Sequence, residues 1–527
     1  MVATSDEDEA TAVFKIFAAI TMISMTMIRM VLGFSLSFCF MRFNLKLITP
    51  TGKHPVKIVN LPIFRAKVLM MKKLFATLLL LINAGIVLCQ TEDEFFIKKI
   101  SDEIFTNSQA YNNLRVLTKN IGPRLAGSAN MYKAENWSYD LLIETGSENT
   151  FKQACMVPRW VRGGKDEATA ILPDKTRRIL DIIALGNSVG TEGKYLNAPV
   201  MLINSFEELD ARKDEVKGKI VFYNYKFDPR FVETFLSYGD AVKYRGGQGT
   251  ITAAKYGAVA TIVRSMTHEA GNNPHTGATR YDSAYKKNPA VAIGLQDADW
   301  LADAILKNKN VMVQLKTNAH FLPDVQGHNI IGELKGATFP NEYIVVGAHL
   351  DSWDNCEGAH DDGAGVTQTI EILRTFKALG YKPQRTIRFV LFANEENGTR
   401  GARKYAEEVE AKNEKHIFAL ESDAGGFTPR GFHFDVTPAV FDKLKQWAPL
   451  FEPYGGNMFV NNGVSGVDIS FLKKMGVSLS GLAPDSQRYF DIHHSRADVF
   501  ESVNKRELEL GAINMAALIY LADKYGL

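Results

Sequence analysis

Three apolar, strand-like runs in the second half of the chain each lead directly into acidic or imidazole side chains, and this pattern restricts the fold most strongly. The runs are 344–347, 386–392 and 416–420. The polar residues that follow them are His349 and Asp351, Glu395 and Glu396, and Asp423. Segments 365–379 and 401–411 have the apolar spacing of helices. Alternating strands and helices predict an α/β sheet, in which residues at the carboxyl ends of the strands converge.

Further groups of the same kind are Asp361 and Asp362 at a predicted helix start, and His493 and His494 on a late loop. Imidazole nitrogen and carboxylate oxygen suit divalent zinc, whereas structural zinc sites normally use cysteines. A single catalytic zinc needs fewer ligands than this set offers, and two ions need a bridging carboxylate, which the set supplies. The sequence therefore predicts a catalytic centre with two zinc ions.

A signal peptide is predicted near the start of the chain. Read from Met71, the chain has Lys72 and Lys73 before an apolar stretch at 74–88, and small or mid-sized residues follow it. This is the pattern of a secretory signal. We therefore predict a signal peptide at 71–90 and a secreted or lysosomal protein.

The residues before this signal differ in composition from the rest of the chain. We predict that 1–70 are an upstream extension that the working protein lacks. The competing interpretation is a membrane-spanning helix at 18–40, but Arg29 interrupts that run, and a spanning helix needs about 20 mostly apolar residues. No stable membrane anchor is therefore expected. The formal net charge of +2, with dispersed basic residues, gives no electrostatic reason to expect a nucleic-acid partner.

Disulfides are not expected to hold this fold together. Cys39 and Cys89 lie in the segments predicted to be removed, which leaves Cys155 and Cys356. Pairing of these two requires Cα atoms within about 7 Å, and sequence spacing does not set that distance, so pairing stays open. Asn136 begins an Asn-Trp-Ser glycosylation acceptor.

The middle of the chain has a different texture from the segments that flank it. Residues 161–319 contain short β-like runs separated by glycines and charged turns. Within them, the strand-like 218–223, a helical stretch and the strand-like 258–263 resemble the protease-associated domain. The predicted fold is an α/β zinc-peptidase domain at 91–160 and 320–527, with a central mixed β-sheet flanked by helices and an inserted, β-rich protease-associated domain at 161–319.

Several motifs resemble those of the co-catalytic zinc peptidase superfamily that includes aminopeptidase Y and glutamate carboxypeptidase. The similarity extends from about residue 95 to the end of the chain. The motifs are Gly347-Ala-His-Leu-Asp-Ser-Trp-Asp, Gly358-Ala-His-Asp-Asp-Gly-Ala-Gly, Asn394-Glu-Glu-Asn-Gly, Glu421-Ser-Asp-Ala-Gly and His493-His-Ser, with further matches at Gly122-Pro-Arg-Leu-Ala-Gly-Ser, Pro274-His-Thr-Gly and Gly466-Val-Asp-Ile-Ser-Phe.

The resemblance implies a set of metal ligands in which one carboxylate, that of Asp361, bridges two zinc ions. The implied ligands are His349, Asp361, Glu396, Asp423 and His494. His493 is the alternative to His494. The resemblance also implies a cis peptide bond between Asp361 and Asp362.

Glu395 is implied as the general base, which takes a proton from the attacking water and returns it to the leaving amine. Asp351 is implied to orient the imidazole of His349, a supporting role worth about 10 to 100-fold in metal affinity or activity. One departure is Asp498-Val499, where the family usually has Asp-Thr. We expect it to affect hydrogen bonds around the site more than metal binding.

The function implied by the resemblance is hydrolysis of short peptides, above all dipeptides with free termini, by a homodimer. Three alternatives remain open from the residues. An aminopeptidase on longer peptides would differ only in how the substrate termini are held, and a glutaminyl cyclase-like enzyme would hold a single zinc. A non-catalytic binding ectodomain would have lost ligands or the base, and none is missing. The side-chain preference of the substrate is not determined.

Overall fold

The computed structural model of the protein describes residues 92–527. The predicted extension at 1–70 and the predicted signal peptide at 71–90 lie outside these described residues. Within 92–527, no helix is long and apolar enough to cross a membrane.

Sixteen strands are present in the described part of the chain. They are β1 (Asn149–Val161), β2 (Glu167–Ile171), β3 (Arg177–Leu180), β4 (Ile182–Ala184), β5 (Leu196–Ile203), β6 (Ile220–Tyr223), β7 (Ala260–Arg264), β8 (Ala290–Ile293), β9 (Met312–Lys316), β10 (His320–Leu334), β11 (Phe339–His349), β12 (Arg385–Phe392), β13 (Lys415–Glu421), β14 (Pro429–Asp435), β15 (Met458–Asn461) and β16 (Ser478–Pro484).

The α-helices are interspersed with these strands. They are α1 (92–107), α2 (Ala110–Arg115), α3 (Ala129–Glu144), α4 (Phe206–Ala211), α5 (Thr234–Ala241), α6 (Lys243–Gly246), α7 (Gln248–Lys255), α8 (Leu295–Lys307), α9 (Ala364–Ala378), α10 (Arg400–Lys412), α11 (Pro438–Leu444), α12 (Ala448–Phe451), α13 (Tyr489–Ile492) and α14 (Lys505–Tyr525). The last of these begins at an N-cap, Asn504, whose side chain accepts hydrogen bonds from the N–H groups of Arg506 and Glu507.

The first sheet, which we call the main sheet, has the strand order β1-β10-β12-β11-β13-β16-β14-β15. Strands β12, β11, β13 and β16 are parallel, and β1 and β10 pair antiparallel with their neighbours. Strand β14 pairs antiparallel with β16 and parallel with β15. The sheet is therefore mixed. Because the four central strands are parallel, their carboxyl ends lie along one edge, where ligands bind in open α/β sheets.

The core lies on both faces of the main sheet. Ile344 and Val346 of β11 pack on one face with α9 and α14, and Val345 packs on the other with α10. In β12, Phe389 packs on the same face as Ile344, and Phe392 packs on the same face as Val345. Parallel strands that are buried on both faces have near-continuous apolar sequences, which explains why these runs stand out in the sequence.

The second sheet lies in sequence between β1 and β10, which pair directly with each other. Its strand order is β3-β2-β9-β5-β6-β7-β8-β4, and β5 to β8 are parallel. Helices α4 to α8 connect these strands, so the segment predicted to be β-rich contains eight strands and is mixed α/β. The helical spacing was hard to see because these helices, apart from α8, have at most eight residues.

Most of the elements predicted in the second half of the chain are confirmed. The three apolar runs lie in β11, β12 and β13, and the two helical segments lie in α9 and α10. The mixed α/β class of the main sheet is also as predicted. Strands β14, β15 and β16 were not among the predicted elements.

Candidate active site

The carboxyl ends of the central strands bring the predicted site residues together. His349 is the last residue of β11 and Asp423 follows β13 by two residues, while Glu396 lies in the turn after β12. Asp361 lies just before α9, in a segment where the peptide bond to Asp362 is cis. All of these side chains except that of Asp423, which is partly exposed, are buried.

The first group of possible metal ligands surrounds His349. Its Nε2 atom is 3.2 Å from Oδ1 of Asp361 and 3.3 Å from Oδ1 of Asp423. Ligand atoms of these three residues all lie within 4.8 Å of one another, close enough to bind one metal ion together. We call them the His349 group.

The second group surrounds His494. Its Nε2 atom is 3.1 Å from Oδ2 of Asp361 and 3.2 Å from Oε2 of Glu396. Nε2 of His493 is 3.7 Å from the same oxygen of Asp361, so both imidazoles approach that carboxylate. His494 contacts two of the predicted carboxylates. We call His494, Asp361 and Glu396 the His494 group.

Asp361 belongs to both groups and its backbone is firmly held. One of its carboxylate oxygens faces the His349 group, and the other faces the His494 group. The carboxylate of Asp498 accepts hydrogen bonds from the N–H groups of Ala359, His360 and Asp361 at 2.7 to 3.1 Å. Asp498 thus fixes the turn that presents Asp361.

The chemistry of these groups fits a divalent metal. Several carboxylates converge in a buried place, and a buried charge is costly unless it is paired or binds a metal. Burial raises the pKa values of Glu396 and Asp423 above their usual range. The Oε1 atom of Glu396 is buried without a hydrogen-bond partner among the described residues. Imidazole and carboxylate donors of this kind suit zinc.

Glu395 is half-buried beside these groups. Its backbone N–H donates a 2.9 Å hydrogen bond to Oδ1 of Asp351. Burial raises the pKa of Glu395 to about 8, and the carboxylates of Asp423, Asp351 and Asp361 add to that rise, whereas His349 opposes it. A carboxyl group with a pKa near neutrality is suited to exchanging a proton with a reacting molecule.

Asp351 contacts His349 through its main chain rather than through its carboxylate. Nδ1 of His349 is 3.1 Å from the main-chain oxygen of Asp351 but 3.8 Å from its carboxylate. The main-chain carbonyl therefore orients the imidazole. The carboxylate instead connects the end of β11 to the turn that carries Glu395.

The inserted segment reaches this site through the loop that contains Thr276. The N–H group of Thr276 donates to the main-chain oxygen of His494 at 3.0 Å, and Nδ1 of His494 is 3.2 Å from the main-chain oxygen of Thr276. Thr276 belongs to the Pro274-His-Thr-Gly motif, whose match to the peptidase superfamily was the one sign in the sequence that this loop could matter for the site. No pattern in the sequence connects it to His494.

Other histidine and cysteine residues make contacts outside the two groups. The ring of His360 stacks on Phe427, and its Nδ1 accepts a hydrogen bond from Gly426. Cys155 and Cys356 are both free and buried. Sγ of Cys356 lies 3.7 Å from the main-chain oxygen of Trp353, a contact typical of a small core residue.

Comparison with known proteins gives consistent results. The model of peptidase family M28 matches residues 329–519, which include every residue of the two groups. Carboxypeptidase Q from Mus musculus is 33% identical over 414 residues, which are 79% of this chain and 85% of that protein.

Two solved structures are also similar. A peptidase M28 precursor from Shewanella amazonensis SB2B has a TM-score of 0.78 and 32% identity, covering 83% of this chain and 98% of that chain. A zinc aminopeptidase from Bacillus subtilis has a TM-score of 0.56 and 20% identity, covering 79% of this chain and 94% of that chain. At that identity, the second comparison shows a common fold and no more.

Proposed function

The chain belongs to peptidase family M28 and is a zinc metallopeptidase, and from this premise we propose that it hydrolyses short peptides, especially dipeptides, with two zinc ions in one site. The observation that carries the proposal is the position of Asp361, whose two carboxylate oxygens face different groups of ligands. A shared carboxylate of this kind is what a pair of metal ions requires.

We propose that each group holds one ion. His349 and Asp423 would bind the first, His494 and Glu396 would bind the second, and Asp361 would bridge them. When bound, zinc lowers the pKa of a water molecule to about 7 and polarises the substrate carbonyl. His493 stays an alternative to His494, because its Nε2 also approaches Asp361.

Glu395 is proposed as the general base. Its carboxylate would accept a proton from the attacking water and then donate that proton to the nitrogen of the leaving amine. The hydrogen bond from the Glu395 backbone to Asp351 holds this turn at the end of the sheet. Burial raises the pKa of Glu395 to about 8 in the metal-free site, and bound divalent cations would favour the carboxylate form that accepts the proton.

The similarity to a protein named carboxypeptidase Q supports hydrolysis of short peptides. We extend the same proposal to a secreted or lysosomal location and to a homodimer. The domain organisation is proposed as a catalytic domain at 91–160 and 320–527 with a protease-associated domain at 161–319. Direct pairing of β1 with β10 around the inserted segment supports these boundaries.

The test measures zinc per subunit and hydrolysis of a dipeptide panel by wild type and Glu395→Ala. The panel includes dipeptides with an acetylated amino end or an amidated carboxyl end. We expect two zinc ions in both proteins and a fall in kcat of about 10² to 10⁴-fold in the variant. Exposed Glu407→Ala is the control and should match wild type. One zinc per subunit, or an active Glu395→Ala, would contradict the proposal.

A further inference from the structure

We propose that the loop 274–277 of the inserted segment, held by Arg245, positions His494 and thereby sets the zinc affinity of the His494 group but not of the His349 group. This inference rests on the proposed two-zinc function. It assigns a role in metal binding to Thr276 and Arg245, two residues far from the main sheet in sequence.

One main-chain hydrogen bond and one contact from the imidazole connect Thr276 with His494. The Thr276 N–H donates to the His494 carbonyl at 3.0 Å, and the His494 Nδ1 lies 3.2 Å from the Thr276 carbonyl. An Nδ1–H that donates to a carbonyl leaves the lone pair of Nε2 free for a metal and fixes the orientation of the ring. Nε2 of His494 then faces Asp361 and Glu396, as the structure has it.

Arg245, which also lies in the inserted segment, donates a hydrogen bond to the same Thr276 carbonyl. Its Nη1 donates to the oxygen of Thr276 at 2.8 Å, and its Nη2 donates to the hydroxyl of Tyr238. Arg245 is 4% exposed, so this cation is buried among groups that carry no negative charge in these contacts. Burying a cation in this way costs free energy. The hydrogen bond from Arg245 to Thr276 holds the loop in spite of this cost.

A glycine is required next to Arg245. A Cβ atom at Gly277 would lie 2.2 Å from Cζ of Arg245, and the φ angle of Gly277 is +139°. The guanidinium therefore packs directly on the loop backbone. This close approach explains why Arg245 can reach the Thr276 carbonyl.

The other end of the loop is attached to the second sheet. Oγ1 of Thr276 donates to the main-chain oxygen of Ala184 in β4 at 2.9 Å. The N–H of His275 donates to Oγ of Ser265, and that hydroxyl donates to the main-chain oxygen of Ile293 in β8. The second sheet is thus the scaffold on which His494 is oriented.

Within residues 92–527, neither His349 nor Asp423 has such a hydrogen bond to the inserted segment. Nδ1 of His349 is oriented by the main-chain oxygen of Asp351, and Asp423 follows β13 of the main sheet. Both lie on the main-sheet side of the site. A disturbance of loop 274–277 should therefore weaken one zinc position and spare the other.

The experiment titrates zinc into metal-free protein by calorimetry, for wild type, Arg245→Met and Arg245→Lys. We expect two zinc ions in the wild type. Arg245→Met should lose about 10 to 100-fold in affinity at one position and keep the other. Arg245→Lys retains a donor for the Thr276 carbonyl and should recover part of that loss.

Arg264→Met is the matched control. Arg264 is also a buried arginine of the inserted segment, but it donates to Asn224 and Asp299. Both zinc positions should remain at wild-type affinity in this variant. Thermal melting of each metal-free variant shows whether the fold is intact. If Arg245→Met does not fold, Thr276→Val replaces it, because this change removes the bond to Ala184 and should also weaken one position only.

The inference is overturned if Arg245→Met binds both zinc ions as tightly as wild type, or if it loses affinity equally at both positions. Tighter binding would also overturn it, because repulsion between Arg245 and zinc would then outweigh positioning. A wild type that binds a single zinc instead overturns the proposed two-zinc function, and this inference with it.

Discussion

The His349 group and the His494 group share Asp361 but differ in what holds them. Strands of the main sheet and the turns directly after them hold His349 and Asp423, and the register of these strands is set by a core on both faces. His494 instead lies on a loop that hydrogen-bonds to the inserted segment. One half of the site therefore depends on a single sheet, and the other depends on two sheets. We expect the first half to bind zinc more tightly.

The largest effect is expected where the two groups meet. Asp361→Asn removes a charge that both ions would share, so zinc content should fall below one per subunit. The rate of hydrolysis should fall by more than about 100-fold, which is the most that is typically lost when a residue that only orients a metal ligand is mutated. Zinc analysis after gel filtration and dipeptide assays measure the two effects. Exposed Asp303→Asn is the control. Retention of one firmly bound zinc would show that the groups are independent.

The next prediction compares the two groups directly. His349→Ala and His494→Ala each remove one ligand, and each variant should lose one of its two ions. His494→Ala should keep the remaining zinc with near wild-type affinity, because the main sheet holds that position. His349→Ala should release its remaining zinc more readily to a chelator. Equal release from the two variants would remove the proposed difference between the groups.

The sequence predicts the His349 group better than the His494 group for the same physical reason. The apolar runs at 344–347 and 416–420 are buried strands, and a polar residue directly after a buried parallel strand must lie at the edge of the sheet. His349 and Asp423 follow from this alone. The residues alone offered Asp361 beside Asp362 and His494 beside His493 as candidates, and only the resemblance to known peptidases chose between the neighbours, since none of them follows an apolar strand.

Features that depend on contacts between distant segments were not predictable. Strand β14 contains Arg430, Gly431 and His433, which interrupt the pattern of apolar residues that would indicate a strand. Strand β15 is only partly buried. The bond between Thr276 and His494 joins loops from two parts of the chain. Neither loop has a periodic pattern, so spacing along the sequence cannot indicate that they meet.

A smaller effect concerns the acidic surroundings of the His349 group in metal-free protein. Burial raises the pKa of Glu421 to about 7, and the carboxylate of Asp423 adds to this rise. Glu421 thus keeps its proton in the folded state at pH values where the unfolded chain, with a pKa of about 4.3, has lost it. Folding then binds more protons, so the free energy of unfolding should fall as pH rises from about 4 to about 7.

Glu421→Gln should flatten this dependence. Between about pH 5 and pH 7.5, the Tm of the metal-free variant should change less than the Tm of metal-free wild type. This range covers most of the interval between the unfolded and folded pKa values of Glu421. Exposed Glu410→Gln should keep the wild-type slope. A fall in Tm that is as steep or steeper in Glu421→Gln than in wild type would contradict the predicted sign.

The smallest effect is expected at Val499, where the family usually has threonine. The neighbouring carboxylate of Asp498 already accepts the three N–H groups that fix the turn before α9. Val499 is half-buried, and its backbone bonds to Ala497 and Ser502 do not involve its side chain. Val499→Thr should therefore leave zinc content unchanged and alter the free energy of unfolding by no more than about 0.5 kcal/mol. Asp498→Ala is the contrasting variant, because it frees the turn that presents Asp361 and should weaken both zinc positions. If Val499→Thr changed zinc content, the side chain at 499 would share in holding that turn, and both groups would depend on it equally.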